Sequence, residues 1–190
     1  MWINTGILKD GAYIKETVIN ELSDIDIDFI YNKEKQISET LLNGKNIEKE
    51  IRTLAISKQV SHISAIEEVR TKLVKIQQQI GNKGAVVMDG RDIGTVVFPK
   101  ADVKLFMTAD MNIRAERRFK ELELKGQIVN FDEVKESLKR RDYIDMNRDI
   151  SPLCQAKDAI VIDNSELNKD EQLELALKII NEKINKLATL

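Results

Sequence analysis

The segment "VVMDGRDIGTVVFP", Val86 to Pro99, gives the clearest indication of the fold. Its apolar, β-branched start is typical of a buried strand, and a glycine, an arginine and an aspartate follow before any helix begins. In open α/β sheets, ligands bind beyond the carboxyl ends of the strands, so side chains at those ends face a crevice rather than the core. Arg91 and Asp92 are therefore predicted to belong to a binding site.

The rest of the second half alternates strands with helices. Apolar runs without a helical period predict strands in "AVVMD" (85–89), "VKLFMT" (103–108) and "DAIVIDN" (158–164), the first two of them central and parallel. A helix is predicted to begin after Asp110, directly behind the second run, and to end at Gly126. Its inward face would carry Met111, Ala115, Phe119 and Leu122. This order of elements favours a parallel α/β sheet.

Two further helices are predicted from their caps and their spacing. Asn130 is expected to cap one of them, with Glu133 three residues later as in a capping box. The other ends the chain and carries on one face Leu173, Leu177, Ile180, Ile184 and Leu187.

The first 80 residues have a different pattern. From Ile25 to Ile47, apolar and polar residues alternate, and Asn43-Gly44 supplies the positive-φ pair of a tight hairpin turn. We expect a small antiparallel ribbon there. Helical spacing over residues 47–80 then predicts two helices, which "GNKG" ends.

Composition narrows the class of protein. The chain has 190 residues, of which 42% are hydrophobic and 33% charged, as expected of one globular core with room for a subdomain. No apolar run approaches the length of a membrane span, and the first residues lack the pattern of a signal peptide, so a cytoplasmic location is expected. The net charge of -2 argues against a surface that coats nucleic acid.

The single cysteine and the single histidine suggest no chemistry. Cys154 has no second cysteine for an internal disulfide, and it cannot form a Cys/His metal cluster with His62, which is far away in sequence. We expect Cys154 to pack as a small apolar group and His62 to be a surface or capping residue.

Arginines carry the strongest chemical signal. Arg141, Asp145 and Arg148 fall at i, i+4 and i+7, so one helical face presents two guanidiniums with a carboxylate between them. Such a face is either a solvated charged stripe or an anion clamp. With Arg91 and the row formed by Arg114, Arg117 and Arg118, up to six guanidiniums could reach one crevice, which suggests a nucleotide or another ligand with several phosphates.

At this point four motifs resemble those of the bacterial cytidylate kinase family. They are "LLNGKNIEKEIRT" (41–53), "DGRDIGTVVFP" (89–99), "RAERRFKELELKG" (114–126) and "RRDYIDMNRDISPL" (140–153). The likeness runs from about residue 18 to the C-terminus. It implies the P-loop NTPase-like fold of nucleoside monophosphate kinases, a parallel α/β sheet covered by helices. Residues 1–24 and 81–190 would form the core with a lid near 111–148, and residues 25–80 would form an inserted CMP-binding subdomain.

The resemblance also implies an activity and a site. The family transfers the γ-phosphoryl group of ATP, with Mg²⁺, to CMP or dCMP. Nucleobase contacts would fall on Ser61, Arg70 and Asp92, and ribose and phosphate contacts on Arg91, Arg141, Asp145 and Arg148. Arg114 and Arg118 of the lid would stabilise the charge of the transferred phosphoryl group, and no residue would bind a metal. The partners would be CMP, dCMP and ATP, not nucleic acid or membrane, and we expect a monomer.

The chemistry of cytosine supports the assignment of the base contacts. Its amino group at position 4 donates a hydrogen bond while N3 and O2 accept, so a carboxylate and a guanidinium complement it. Uracil reverses the pattern at N3 and position 4. Asp92 and Arg70 should therefore select cytosine.

One family feature does not occur in these 190 residues. The family's glycine-rich phosphate loop, G-P-x-x-[AS]-G-K-[GS], and its [ST]-G-A-x-Y-R motif have no match, and the sequence contains no GxxxxGK. We therefore expect the N-terminal strand and loop to be missing, which leaves three interpretations open. Translation starts upstream, or a short protein binds nucleotide without catalysis, as in a sensing module, or another segment replaces the loop.

Overall fold

The computed structural model describes residues 8, 9, 12, 13, 15–52, 56, 60, 63, 64 and 66–188. They belong to two compact units, residues 1–86 and 87–190, and each unit is treated by itself. The division expected from the sequence, with 25–80 as an insert in a core of 1–24 and 81–190, stays a prediction.

The first unit combines short helices with a ribbon. Its described elements are β1 (Leu8–Lys9), β2 (Ala12–Tyr13), α1 (Lys15–Glu21), a 3₁₀ turn (Leu22–Asp24), β3 (Ile27–Asn32), β4 (Ile37–Leu42), β5 (Lys45–Asn46), a second 3₁₀ turn (Glu50–Arg52) and α2 (Glu67–Gly81). Strands β1 and β2 pair with each other, and β3, β4 and β5 form an antiparallel sheet in that order.

The predicted ribbon is confirmed, and so is its turn. Asn43 and Gly44 join β4 to β5 with φ values of 50° and 76°, the left-handed conformation that such a turn requires. The Asn43 side chain also accepts a hydrogen bond of 2.7 Å from the backbone of Asp26, which fixes the turn to the start of β3.

The core of the first unit lies between α1 and α2. Val18 and Leu22 are buried with Ile66 and Val69, and partly buried apolar residues pack around them, namely Ile25, Ile63 and Leu73. Of the two helices predicted over 47–80, the second is confirmed as α2. The first falls largely outside the described residues.

The second unit contains a parallel strand pair and three helices. Its described elements are a π-helical turn (Ile93–Val97), β6 (Leu105–Thr108), α3 (Met111–Leu124), α4 (Phe131–Asn147), β7 (Ile160–Asp163) and α5 (Lys169–Ala188). Strands β6 and β7 pair in parallel, with Leu105 opposite Ile160. This architecture of helices and a parallel sheet is the α/β class that the sequence predicted.

The predicted starts of α3 and α4 and the predicted end of α3 are confirmed by hydrogen bonds and backbone angles. The Asp110 carboxylate accepts hydrogen bonds from the backbone N–H groups at the start of α3, and the Asn130 side chain does the same for α4. Past the end of α3, Gly126 takes a φ of +73°. The inward stripe of α3 is buried at Ala115 and Leu122.

Two expectations for this unit are wrong. The strand predicted over 85–89 does not form, because no described segment pairs with these residues, and Val87 is 98% exposed. A β-branched run favours extended backbone, but a strand also needs a hydrogen-bonded neighbour. Cys154 is exposed instead of packed, since it lies in irregular chain beyond α4.

The last helix, α5, is confirmed, although it begins at Lys169, before the predicted stripe, and its apolar face is open. Leu173, Leu177 and Ile184 share this face and are each about half exposed, at 57%, 47% and 51%. In the part of the chain that the structure describes, none of the helices combines the length and the apolar character needed to cross a bilayer.

Candidate functional site

A tight loop presents Arg91 and Asp92. The preceding Gly90 packs closely on this turn, because a Cβ there would lie 2.9 Å from a side-chain carbon of Ile93 and would force that side chain to shift. The π-helical turn begins directly after Asp92, whose backbone carbonyl accepts from Val96 N at 2.8 Å. The Asp92 carboxylate does not cap this turn, although the residue is only 9% exposed. A short π-helical turn of this kind is frequent at functional sites.

The end of α4 presents the second group of side chains. Helical geometry brings Arg141 and Asp145 onto one face, and Arg148 stands at the C-cap, where the chain leaves the helix. The chain then folds back, since Leu153 N donates to the Asp145 carbonyl at 2.7 Å and Arg148 Nε donates to the Ser151 carbonyl at 2.7 Å. These contacts hold the buried Arg148 side chain beside the helix.

These two groups meet at Asp145. Arg91 Nε donates to Asp145 Oδ2 at 2.8 Å, although the two residues are 54 positions apart. Arg148 Nη1 lies 3.8 Å from Asp145 Oδ1, and Arg141 Nε lies 3.9 Å from Oδ2. Arg148 Nη2 is also 3.9 Å from an oxygen of Asp92. We call these five residues, Arg91, Asp92, Arg141, Asp145 and Arg148, the Asp145 cluster.

The Asp145 cluster is suited to bind an anion. It contains three guanidiniums and two carboxylates, which leaves one net positive charge. Arg91 and Arg141 keep 41% and 45% of their side-chain surface exposed, whereas Arg148, Asp92 and Asp145 are buried. The buried carboxylates thus hold the guanidiniums in place, and the partly exposed side chains of Arg91 and Arg141 are accessible to phosphate oxygens.

The arginine row of α3 does not act as one group, contrary to expectation. Arg114 Nη2 donates to Asp142 Oδ2 of α4 at 2.6 Å, whereas Arg118 pairs with Glu121 of its own helix at 2.7 Å. Arg117 points elsewhere, to the loop after β7. Residues 114, 117 and 118 lie within about one turn of the same helix, but each one contacts a different partner.

Arg117 is a structural residue. Its guanidinium donates to Asn164 Oδ1 at 2.9 Å and to three backbone carbonyls of the loop, those of Asn164, Ser165 and Leu167, at 2.7 to 3.2 Å. These contacts do not test the expectation that Arg117 helps to bind a phosphate ligand, which stays a prediction. The two terminal nitrogens of Arg117 tie α3 to the loop at the carboxyl end of β7.

Replacing Arg117 with alanine should lower the free energy of unfolding by about 2 kcal/mol, because several carbonyls lose a charged donor. Lysine should restore only part of the loss, since an ammonium group cannot span the loop as a planar guanidinium does. Denaturant unfolding measures both variants, with Arg140→Ala, an exposed arginine of α4, as the control. Equal stability of the Arg117 and Arg140 variants would contradict the structural role.

A polar junction supports the same edge of the sheet. Ser165 donates to Asp163 from its hydroxyl at 2.6 Å and from its backbone at 2.9 Å, and its hydroxyl accepts from Asp110 N at 2.8 Å. The Ser165 hydroxyl, and then its backbone N–H, holds the pKa of Asp163 below its usual value. The carboxyl ends of β6 and β7 are therefore joined before any ligand binds.

The remaining predicted residues belong to the first unit. Arg70 lies in the first turns of α2, where its Nη1 donates to the Ser64 carbonyl at 3.2 Å. Ser61 and His62 lie outside the described residues. Their predicted roles, as base contact and as surface residue, stay predictions.

The sequence reasoning missed Asp142 and the loop over 164–168. Asp142 stands next to Arg141 in the motif, and this neighbouring opposite charge was the feature of the sequence that could have indicated a role for Asp142. Its partner Arg114 is 28 residues away, so spacing along the chain could not identify it.

Comparison with known proteins identifies the family of this chain. The family model described as cytidylate kinase matches residues 10–182. A cytidylate kinase of Flavobacterium johnsoniae is 50% identical over 168 residues, covering 88% of this chain and 73% of that protein. Cytidylate kinases of Flavobacterium psychrophilum and Bacteroides thetaiotaomicron are 48% and 47% identical, covering 92% and 90% of this chain and 77% and 75% of theirs. The chain therefore belongs to the cytidylate kinase family.

Proposed function

We propose that this protein transfers the γ-phosphoryl group of ATP to CMP or dCMP and releases CDP or dCDP. The observation that carries the proposal is the Asp145 cluster, in which guanidiniums from two distant segments surround one buried carboxylate. The relatives that share half of the sequence are cytidylate kinases, which supports the same acceptor.

Within this proposal, Arg91, Arg141 and Arg148 bind the phosphate of the monophosphate acceptor. Arginine suits this role because its planar fork can donate two parallel hydrogen bonds to phosphate oxygens. Asp145 keeps the three guanidiniums oriented and contacts the ribose. A carboxylate that orients arginines in advance reduces the ordering cost of binding.

Asp92 reads the base in this proposal. Its carboxylate is buried, and a carboxylate accepts the hydrogen bond that the amino group of cytosine donates. Arg70 and Ser61 complete the base contacts, with residues 25–80 as the CMP-binding insert and 111–148 as the lid. The assignment of Arg70 and Ser61 to the base, and the bounds of the insert and the lid, rest on the family motifs.

Lid arginines complete the chemistry. As a phosphoryl group moves, charge spreads over its oxygens, and cations that are already oriented stabilise that charge. Arg114 and Arg118 would supply such charge without forming a covalent intermediate. Arg118 exchanges its exposed partner Glu121 for the phosphoryl oxygens, because a partly exposed ion pair within one helix contributes little stability.

ATP is the expected donor, and Mg²⁺ would neutralise the charge of its phosphates when bound. Among the described residues, no three acidic, histidine or cysteine side chains come together as a metal site. Kinases hold Mg²⁺ largely through substrate phosphates, with one or two carboxylates. We therefore assign no residue of this chain to the metal. The proposed partners are nucleotides, and the proposed form is a monomer in the cytoplasm, where these nucleotides are used.

The test couples ADP formation to addition of a monophosphate, using the 190-residue chain with ATP and Mg²⁺. We expect ADP with CMP and dCMP and little with UMP. Calorimetry measures CMP affinity in the same preparation, because acceptor binding and turnover can fail separately. CMP binding without turnover would contradict the kinase proposal for these 190 residues and support a non-catalytic binder. If the protein neither binds CMP nor turns it over, both the kinase proposal and the non-catalytic binder are contradicted.

A further inference from the structure

Asp142 and Arg114 form an ion pair that links two helices and adjoins the Asp145 cluster. Arg114 Nη2 lies 2.6 Å from Asp142 Oδ2, and the two side chains are 36% and 24% exposed. By contrast, Glu136 and Lys139 of α4 pair at a similar distance but with 65% and 49% of their side chains exposed. The Arg114 pair is thus the better shielded, and it fixes a side chain of α3 against α4.

This pair holds Arg114 against the part of α4 that also carries Asp145. Residues 142 and 145 are three positions apart on α4, so they occupy neighbouring positions one turn apart on the helix. The carboxylate that holds Arg114 is therefore carried about one helical turn from Asp145, the residue around which the arginines of the cluster gather. The spacing of Arg114, Arg117 and Arg118 in the sequence did not predict which of them would contact α4.

The way in which Asp142 grips Arg114 leaves donors for a ligand. Only Nη2 of the guanidinium is engaged, shared between Asp142 and the Met111 sulfur at 3.7 Å. Among the described residues, Nη1 has no hydrogen-bond partner, and Nε is buried without one. Leaving a buried N–H unsatisfied costs free energy, so Asp142 holds the guanidinium in this orientation against that cost.

We infer that Asp142 is a positioning residue for phosphoryl transfer: it holds Arg114 by one nitrogen, so that the opposite nitrogen donates to the transferred phosphoryl group. This inference rests on the proposed function. Asp142 itself does not contact substrate in this arrangement. Asp142 should therefore stabilise the transition state, in which charge develops on the phosphoryl oxygens, more than it stabilises bound CMP.

The experiment compares Asp142→Asn with Glu136→Gln, which removes an equally charged group from a solvent-exposed pair of the same helix. We expect Asp142→Asn to lower kcat about 10-fold to 100-fold while KM for CMP changes less than about twofold. Asp142→Glu should recover part of kcat, because its carboxylate can re-form the pair. Glu136→Gln should match the unchanged protein.

A second readout does not require turnover. In the unchanged protein, the Arg114 side-chain NMR signals, assigned with Arg114→Lys, should show hindered rotation of the guanidinium. Asp142→Asn should release it, while Glu136→Gln should not.

The outcomes separate the two proposals. If the unchanged protein fails to phosphorylate CMP, the proposed function fails, while the NMR result still tests the orientation of Arg114. If it turns over and Asp142→Asn keeps full kcat, the positioning role is overturned. If kcat falls only together with a higher KM and a lower Tm, Asp142 merely stabilises the helix pair, which also overturns the inference.

Discussion

Replacing Asp145 with asparagine is expected to cost about 3 kcal/mol of unfolding free energy, although the two side chains have the same shape. The carboxylate lies within 4 Å of three guanidiniums and is 8% exposed, and the Arg148 side chain beside it is as deeply buried. Removing its charge leaves the buried Arg148 guanidinium with only Asp92, 3.9 Å away, as a nearby carboxylate, which costs far more than losing an exposed pair.

Denaturant unfolding measures this loss, and added phosphate provides a second measurement. An anion that occupies the cluster should stabilise the Asp145→Asn protein more than the unchanged protein, because it replaces the missing negative charge. Glu136→Gln is the matched control, since it removes a carboxylate from an exposed pair on the same helix. If Asp145→Asn and Glu136→Gln unfold alike, Asp145 is not the centre of a coupled cluster.

The second large effect concerns the choice of base. Asp92→Ala should lower kcat/KM for CMP by about 100-fold and change kcat/KM for UMP much less, because only cytosine donates from position 4. Asp92→Asn should also reduce the preference for CMP, since its amide can turn its NH₂ group toward the uracil oxygen. Coupled assays with both monophosphates measure the ratio.

A purely structural role for Asp92 predicts a different result. Asp92 lies 3.9 Å from Arg148, so its loss could disturb the phosphate-binding arginines and weaken both substrates equally. Equal losses for CMP and UMP would therefore refute the assignment of Asp92 as the base-reading residue. Asp89→Asn, an exposed aspartate of the same segment, controls for the change of charge.

Local chemistry explains what could be predicted from the sequence. Caps at Asp110 and Asn130, and the turn at Asn43-Gly44, were correct because each depends on atoms only a few residues apart. The face formed by Arg141, Asp145 and Arg148 follows from helical spacing in the same way. The family motifs added the identity of the family, which no local pattern could supply.

What only the tertiary structure decided is the choice of partners between distant segments. Whether residues 85–89 become a strand depends on a hydrogen-bonded neighbour, and no described segment provides one. The arginines of α3 have equal charge and nearly equal spacing, yet one meets Asp142, one the loop after β7 and one its own helix. The sequence alone determined which groups could bind a phosphate. Because an ion pair depends on distance in space and on burial, the packing of α3, α4 and the loop at Arg91 decided which groups form the site.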